Sequence, residues 1–340
     1  MSQPAGDKPR EVFDLSRDPV KHYVRIHGWV DMARQRLTKL RNMGIQREYG
    51  LRYFSLCGKD GIDIFLFKRE ELIQDDGRGF PAVFYCESYY ANFAEVKPIL
   101  GRTQGARRTF EDLVHQRWFK NRVKKYAFDV VNLDFSGSCF PWGDPPFSRT
   151  LKAIYSLIAL QKGYAFDLFV TFKALRSAEN EEAIQELVAN MERNFDQLNG
   201  VEERFRLRFN VSPRELMEGD YGQFLLATFP KIIFGFGSNQ GFRVGCPQKF
   251  LYRRSPPSPK PTYQIVKFLF SLEPVDVVQS FSVESRRLEV LTRSYQEAIL
   301  TDLGTTPIDV DREFQDNPRL VEQLRNDCAS VIASRKPFGL

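Results

Sequence analysis

Residues 128–138, Phe-Asp-Val-Val-Asn-Leu-Asp-Phe-Ser-Gly-Ser, place an acid, an aromatic ring and a glycine turn directly after a short apolar run. The run at 129–133 predicts a buried strand that leads into Asp134, and the following Phe-Ser-Gly-Ser predicts a turn. In open α/β sheets, ligands bind in the crevice beyond the carboxyl ends of the strands. An acid and an aromatic ring at such a place suit a group-transfer site, although an ordinary turn that contains Asp would show the same pattern.

From residue 51 onward, short β-prone runs alternate with stretches of helical periodicity. The predicted strands are 53–57, 82–86, a weak one within 108–115, 128–133 and 166–172. The predicted helices are 62–73, 92–100, 147–161 and 180–198, the last with Asn180 as its N-cap. We also expect a long hairpin formed by 224–236 and 241–253, and a last strand at 263–272. This order predicts an α/β protein whose Rossmann-like sheet is mostly parallel, with a C-terminal antiparallel hairpin and helices on both faces.

Polar residues and glycines follow three of the predicted strands. In chain order, they are Cys57, Gly58 and Gly61 after the first strand, Glu87 after the second, and Asn132, Asp134 and Phe135 at the fourth. This order resembles the class I methyltransferase fold, which binds S-adenosylmethionine. The resemblance implies that Cys57, Gly58 and Gly61 form the cofactor loop, because glycines permit close approach of the backbone. It also implies that the Glu87 carboxylate accepts hydrogen bonds from the two ribose hydroxyls.

Glu111 and Asp112 follow the weak third strand, and the same resemblance implies that one of them lies near the adenine ring of the cofactor. A surface ion pair with neighbouring arginines is the favoured interpretation for these two acids.

Within that fold, Asn132-Leu-Asp-Phe-Ser-Gly-Ser138 followed by Pro146-Phe147 is similar to the motif of the tRNA guanine-N2 dimethyltransferase family. That motif reads Asp-Leu-Asp-Pro-Phe-Gly-Ser, with a Pro-Phe pair that opens the next helix, and the similarity covers roughly residues 53–172. It implies that Asp134 holds or deprotonates the attacking amine and that Phe135 stacks on the target base. Asn132 stands where the family has its first acid.

A second motif, Asp144-Pro-Pro-Phe147, has the residue order of the catalytic tetrapeptide of amino-group DNA methyltransferases. In those enzymes the tetrapeptide directly follows strand four, whereas here it lies ten residues beyond Asp134. Because Pro-Pro is also common at the start of a helix, we expect mainly a helix start, with a displaced catalytic loop as the alternative.

Positive charge is concentrated in two stretches of a chain with a formal net charge of +6. Residues 101–125 contain eight Lys or Arg against two acids, and Trp118 and Phe119 lie among them. Cations interleaved with aromatic rings suit phosphates and bases, although a solvated helix face would look the same. The predicted nucleic-acid contacts, with RNA favoured, are Arg107, Arg108, Arg117, Lys120, Arg122, Lys124 and Lys125. An amphipathic, mainly helical segment at 19–43 with a basic outer face would extend this surface through Arg34, Arg36, Lys39 and Arg41.

The bulk composition sets limits on the class of protein. The chain has 340 residues, of which 42% are hydrophobic and 27% charged, so it can bury a proper core. Its five scattered cysteines favour reduced thiols and a cytoplasmic location over a disulfide framework, and its three separated histidines predict no metal site. No apolar stretch is long enough to span a membrane. We divide the chain into a basic extension at 1–50, a methyltransferase-like domain at 51–275 and a helical region at 276–340 that would dock a protein partner.

Two other functions fit parts of the same pattern. The cofactor loop has only Gly58 and Gly61, and Asn132 replaces an acid, which would suit a catalytically inactive subunit that binds nucleic acid or takes part in an assembly. A nuclease with Asp63, Glu87 and Asp134 around Mg²⁺ is the weaker alternative.

Overall fold

The computed structural model describes residues 18–141, 148–254, 263–275, 283–335 and Phe338. Eight strands form one sheet: β1 Tyr53–Ser55, β2 Val83–Cys86, β3 Gln104–Ala106, β4 Val130–Ser138, β5 Phe166–Ala174, β6 Phe242–Arg254, β7 Tyr263–Pro274 and β8 Ile308–Asp309. Their order is β3-β2-β1-β4-β5-β7-β6-β8. Only β7 runs antiparallel to its neighbours, β5 and β6. The described chain is therefore an α/β, Rossmann-like protein with a mostly parallel sheet and a C-terminal antiparallel hairpin.

Helices cover both faces of this sheet. The N-terminal segment consists of α1 (Pro19–Val24), a π-helical stretch (Arg25–Val30) and α2 (Asp31–Asn42). The helices between the strands are α3 Ile62–Arg69, α4 Tyr90–Leu100, α5 Phe110–Leu113, α6 Arg117–Lys125 and α7 Arg149–Leu160. Four helices then precede β6, namely α8 Glu181–Gln197, α9 Val201–Phe209, α10 Pro213–Gly219 and α11 Tyr221–Asn239. The C-terminal helices are α12 Val283–Gly304, α13 Val310–Asp316 and α14 Pro318–Ala333.

The two faces of the sheet bury two separate hydrophobic clusters. Successive residues of a strand point to opposite faces, so Tyr53 belongs to one cluster and Phe54 to the other. Phe84 and Tyr85 of β2 divide in the same way. A strand that is buried on both faces has apolar residues at consecutive positions, which explains the short unbroken runs in the sequence.

The N-terminal segment packs on the sheet. Trp29 is buried and stacks on Phe169 of β5, with ring centroids 6.1 Å apart. A Cβ atom at Gly28 would lie 3.0 Å from the Phe250 ring, so a larger residue here would press this segment against the sheet. Leu324 of α14 lies in the same cluster. The boundaries at residues 50 and 275 stay predictions, although both terminal segments contribute to this core.

The predicted hairpin at 224–236 and 241–253 is wrong in its first arm. Residues 221–239 form the 19-residue helix α11, and β6 pairs with β7 instead. The run is apolar in almost every position, and such a run has no period that separates a buried helix from a strand. Its length and the N-cap at Asp220, whose side chain accepts a hydrogen bond from the Gln223 amide, are the features that indicate the helix.

The predicted turn after Asp134 is also wrong. Strand β4 continues to Ser138, and its register against β5 shifts between Asp134 and Ser138. Asp134 lies opposite Thr171 and Ser138 opposite Lys173, so extra residues of β4 bulge from the ladder. Bulges often lie beside functional sites, where they change the direction of a side chain. The glycine of this stretch therefore belongs to an irregular strand.

The weak strand predicted within 108–115 is misplaced, because the third strand is Gln104–Ala106 and the helix Phe110–Leu113 occupies the predicted range. The other predicted elements agree with the structure to within a few residues, and the Asn180 side chain caps α8 as predicted. The tetrapeptide at 144–147, with Pro146-Phe147, lies outside the described residues. Among the described helices, none combines the length and the apolar composition that a membrane crossing requires.

Candidate functional site

A cleft of about 380 Å³ lies at the carboxyl ends of β1, β2, β3 and β4. That size suits a small cofactor or ligand. The predicted site residues that line it are Cys57, Gly58, Glu87, Glu111, Asn132, Asp134 and Phe135. Gly61 does not line the cleft; it is the N-cap of α3, with a positive φ of 55°. The fold thus brings together residues that are far apart in the sequence.

The loop between β1 and α3 opens toward this cleft. Gly58 has φ = 60°, and no atom lies within 4 Å of the position that a Cβ would take. Arg335, just beyond the end of α14, donates to the Asp60 carbonyl oxygen (2.6 Å) and to its carboxylate (3.0 Å). The C-terminal helix therefore fixes the loop, and Gly58 leaves free space at the cleft that a side chain would fill.

Glu87 lies directly after β2 and is almost fully buried. Its Oε1 accepts a hydrogen bond from the Tyr89 amide at 2.8 Å, and the Asn92 side chain lies 3.4 Å from Oε2. Burial raises the pKa of Glu87, although these hydrogen bonds oppose the shift. A carboxylate held in this way can accept further hydrogen bonds from a ligand, with Oε2 the less occupied oxygen.

A buried polar network ties β1, α3 and β4 together beneath the cleft. The Asp63 carboxylate accepts hydrogen bonds from the Tyr53 hydroxyl (2.6 Å), the Ser55 hydroxyl and the Asn132 amide (3.2 Å). The network orients Asn132 so that its Oδ1 is buried without a hydrogen-bond partner among the described residues. A buried acceptor of this kind is costly to leave unpaired, and a donor on a bound ligand would satisfy it.

Asp134 is surrounded by cations that sequence reasoning missed. It forms an ion pair with Lys21 of α1, and its Oδ1 lies 3.8 Å from Nζ of Lys267 in β7. Burial opposes ionisation, but the charges of Lys21, Lys267 and Arg25 outweigh it and lower the pKa of Asp134. Asp134 therefore remains a carboxylate at any physiological pH, which makes it a good hydrogen-bond acceptor and a weak base.

Phe135 and Glu111 have protein partners at the wall of the cleft. The Phe135 ring stacks on Phe172, with centroids 5.3 Å apart, and meets Phe110 edge-on. Glu111 accepts a hydrogen bond from the Thr150 hydroxyl at 2.7 Å. The surface ion pair expected for Glu111 or Asp112 forms at Asp112, which pairs with Arg149, whereas Glu111 contacts α7. Burial raises the pKa of the Cys57 thiol well above its ordinary value, so this residue stays a neutral thiol.

The predicted nucleic-acid residues do not form one surface at the cleft. Arg108 is the only one of them that lines it. Arg122 packs over the Phe84 ring at 5.4 Å and borders a second, open groove with Arg52 and Tyr126, near the amino ends of the strands. The other predicted cations of α6, Arg117, Lys120, Lys124 and Lys125, do not line the cleft.

The basic residues of the N-terminal segment are largely paired. Arg36 is buried and contacts Asp167 at 2.5 Å and Glu273 at 2.9 Å. Lys39 also pairs with Glu273. The expectation that Arg36 extends a basic outer face is wrong, because Arg36 is buried and is neutralised by acids at the start of β5 and the end of β7. Lys39 is exposed, as expected, although it shares Glu273 with Arg36.

The acids of the nuclease alternative are not arranged for metal binding. Asp63 is engaged by the network with Tyr53 and Asn132, and Asp134 by its lysines. In the ranges that the structure describes, no three His, Cys, Asp or Glu side chains are grouped as metal ligands. The structure does not bring Asp63, Glu87 and Asp134 together in the way that this alternative requires.

Comparisons with known proteins do not identify a family for this chain. No protein-family model matches the chain, and no curated protein matches its sequence. The resemblance of residues 132–138 to methyltransferase motifs stays a prediction from the sequence.

Proposed function

We propose that this chain binds S-adenosylmethionine in the cleft and transfers its methyl group to a nucleic acid, with RNA favoured. The observation that supports this most is the meeting of Gly58, Glu87, Asn132 and Asp134 at one edge of the sheet. These are the positions that the methyltransferase resemblance implies, in the same order along the strands. The mostly parallel sheet with its C-terminal antiparallel hairpin is also the architecture expected from that resemblance.

The cofactor half of the cleft lies beside β1, β2 and β3. The free space above Gly58 and the unpaired acceptor at Asn132 Oδ1 fit a ligand with polar groups. Glu87 would accept from the ribose hydroxyls, and the acids Glu87 and Glu111 suit a ligand with positive charge. When bound, S-adenosylmethionine supplies an electrophilic methyl group on a sulfonium.

The acceptor half lies beside β4 and the N-terminal segment. Asp134 would accept a hydrogen bond from the attacking amine and orient it, because its lowered pKa makes it a poor proton acceptor. Its charge would also stabilise the positive charge that develops on the amine nitrogen. The exposed part of Phe135, at the wall of the cleft, would contact the base.

Calorimetric titration of the purified chain with S-adenosylmethionine and S-adenosylhomocysteine tests the cofactor site. We expect micromolar binding that Glu87→Ala weakens by about 10-fold or more, because hydrogen bonds to a charged group contribute about 1.5–3 kcal/mol. Glu95→Ala is the matched control, since Glu95 is an exposed acid on the adjacent helix α4. Absence of binding by the unmodified chain would contradict the proposal and favour the cofactor-free, nucleic-acid-binding subunit.

A further inference from the structure

Two adjacent tyrosines are exposed at the rim of the cleft. Tyr89 lines the cleft with 63% of its surface exposed, and Tyr90, the first residue of α4, is 69% exposed. They are among the most exposed large apolar or aromatic residues of the described chain. Exposed aromatic rings beside a binding cleft are typical of contact surfaces for a partner.

Two arginines accompany these rings. The Arg107 guanidinium lies over the Tyr90 ring, 5.3 Å from its centroid, and Arg108 lines the cleft. Both arginines are exposed, and neither forms an ion pair within the described ranges. The nearest exposed acid in the sequence, Asp112, pairs with Arg149. The cations at this rim are therefore available to a negatively charged partner.

The fold places these residues together. Tyr89 and Tyr90 follow β2, whereas Arg107 and Arg108 follow β3, and the two strands are parallel neighbours. Their carboxyl ends lie at the same edge of the sheet as Glu87 and Asp134. The arrangement combines flat rings with unpaired cations beside a deep polar cleft.

We propose that Tyr89, Tyr90 and Arg107 form a stacking platform that holds an unpaired, single-stranded stretch of nucleic acid at the mouth of the cleft. This inference rests on the proposed function and specifies its substrate class. Bases of a duplex present only their edges, whereas unpaired bases present faces that stack on aromatic side chains. The arginines contact the phosphates between such bases. A base next to the platform then reaches Asp134 without the cost of opening a duplex.

The test is a fluorescence-anisotropy titration of the full chain with a short labelled oligouridylate, the same length of oligothymidylate, and an RNA duplex. We expect both single strands to bind more tightly than the duplex. Tyr89→Ala and Tyr90→Ala should each weaken single-strand binding by about 5- to 150-fold, the range for one lost base-stacking contact. Arg107→Met should weaken the binding of every sequence. It should also reduce the slope of log affinity against log salt concentration by about one.

Tyr164→Ala is the matched control, because Tyr164 is 49% exposed but lies in the loop before β5, at the opposite edge of the sheet. The affinity of the Tyr164→Ala variant for the oligouridylate should equal that of the unmodified chain. Equal binding of duplex and single strands, or an equal loss in Tyr164→Ala, would overturn the platform. S-adenosylmethionine titrations of Tyr90→Ala and Arg107→Met separate the two proposals, since these two residues do not line the cleft and their loss leaves cofactor binding intact. Tighter binding of the oligouridylate would indicate an RNA substrate, and tighter binding of the oligothymidylate would indicate a DNA substrate.

Discussion

Lys21 and Asp134 form an ion pair that joins the first helix of the described chain to the fourth strand of the sheet. Their side chains are only 18% and 11% exposed, so water screens the pair weakly. The contact places an N-terminal cation in the cleft, next to the residue that we propose for orienting the acceptor. The N-terminal segment is thus part of the candidate site.

We expect Asp134→Asn to lower the rate of methyl transfer by about 10- to 100-fold, because the amide loses the charge that holds a developing cation. Single-turnover transfer from labelled cofactor measures the rate, and calorimetry should show cofactor affinity unchanged. Asp196→Asn, which removes an exposed acid on α8, is the control for charge. Full activity of Asp134→Asn would remove this residue from the proposed mechanism.

Gly58→Ala should weaken cofactor binding, because its new methyl group would occupy the free space at the cleft. Gly77→Ala is a close control, since Gly77 has φ = 80° and likewise has no atom within 4 Å of a Cβ. Both substitutions should cost about 1 kcal/mol of folding stability, because alanine is strained at positive φ. Thermal denaturation compares the stabilities, and calorimetry compares the affinities. Equal affinities of the two variants would show that Gly58 does not approach a ligand.

Lys267→Met should raise the free energy of unfolding at about pH 6, because the buried ammonium has no hydrogen-bond partner in the described chain. Burial lowers the pKa of Lys267 from 10.5 to about 7, although Asp134 opposes the shift. Below about pH 7, Lys267 is charged in both the folded and the unfolded chain, so burying the charge lowers the free energy of unfolding by its full amount. This destabilisation declines as the pH rises from about 7 toward 10.5, the ordinary pKa of the lysine.

The advantage of Lys267→Met should accordingly shrink above neutral pH, by up to about 1 kcal/mol per pH unit. Urea denaturation at about pH 6 and pH 9 measures this difference. Lys152→Met, which replaces an exposed lysine of α7, should show no such dependence on pH. A loss of stability in Lys267→Met at acidic pH would mean that the lysine is a structural partner of Asp134.

Lys249→Met should destabilise the fold by about 3–5 kcal/mol, because it leaves a buried acid without its main partner. Lys249 and Asp302 are 0% and 2% exposed, with 3.0 Å between the ammonium and the carboxylate. The double variant Lys249→Met, Asp302→Asn should recover most of the loss, as chemical denaturation would reveal. A double variant no more stable than Lys249→Met would show that packing, not charge, explains the loss.

The order of elements was predictable from local patterns. The buried strands at 82–86 and 166–172 are short apolar runs between turn residues, and the Asn180 cap marks the start of α8. The position of Glu87 and Asp134 at one edge followed from the parallel order alone. The strands and the cap depend on residues that are close together in the sequence, which is why a single sequence reveals them.

The burial of two cations, Lys267 and Arg36, could not be predicted in the same way. Lys267 lies in an alternating strand, where a lysine usually faces solvent, but β7 is an interior strand with both faces covered. The sequence predicts that Arg36 lies on the exposed face of a helix, whereas its partner Asp167 is on a strand that is distant in the sequence. Such burial depends on pairings across the whole chain. The helix α11 was missed because its apolar run has no distinctive period.

The contact between Arg335 and Asp60 has a consequence for how the molecule acquires its site. The loop next to the cleft is completed by a residue near one end of the described chain, and Asp134 by Lys21 near the other. Contacts so distant in sequence form slowly, because a long stretch of chain must be ordered before they are made. We therefore expect the parallel strands to assemble first and ligand-binding competence to appear late in refolding.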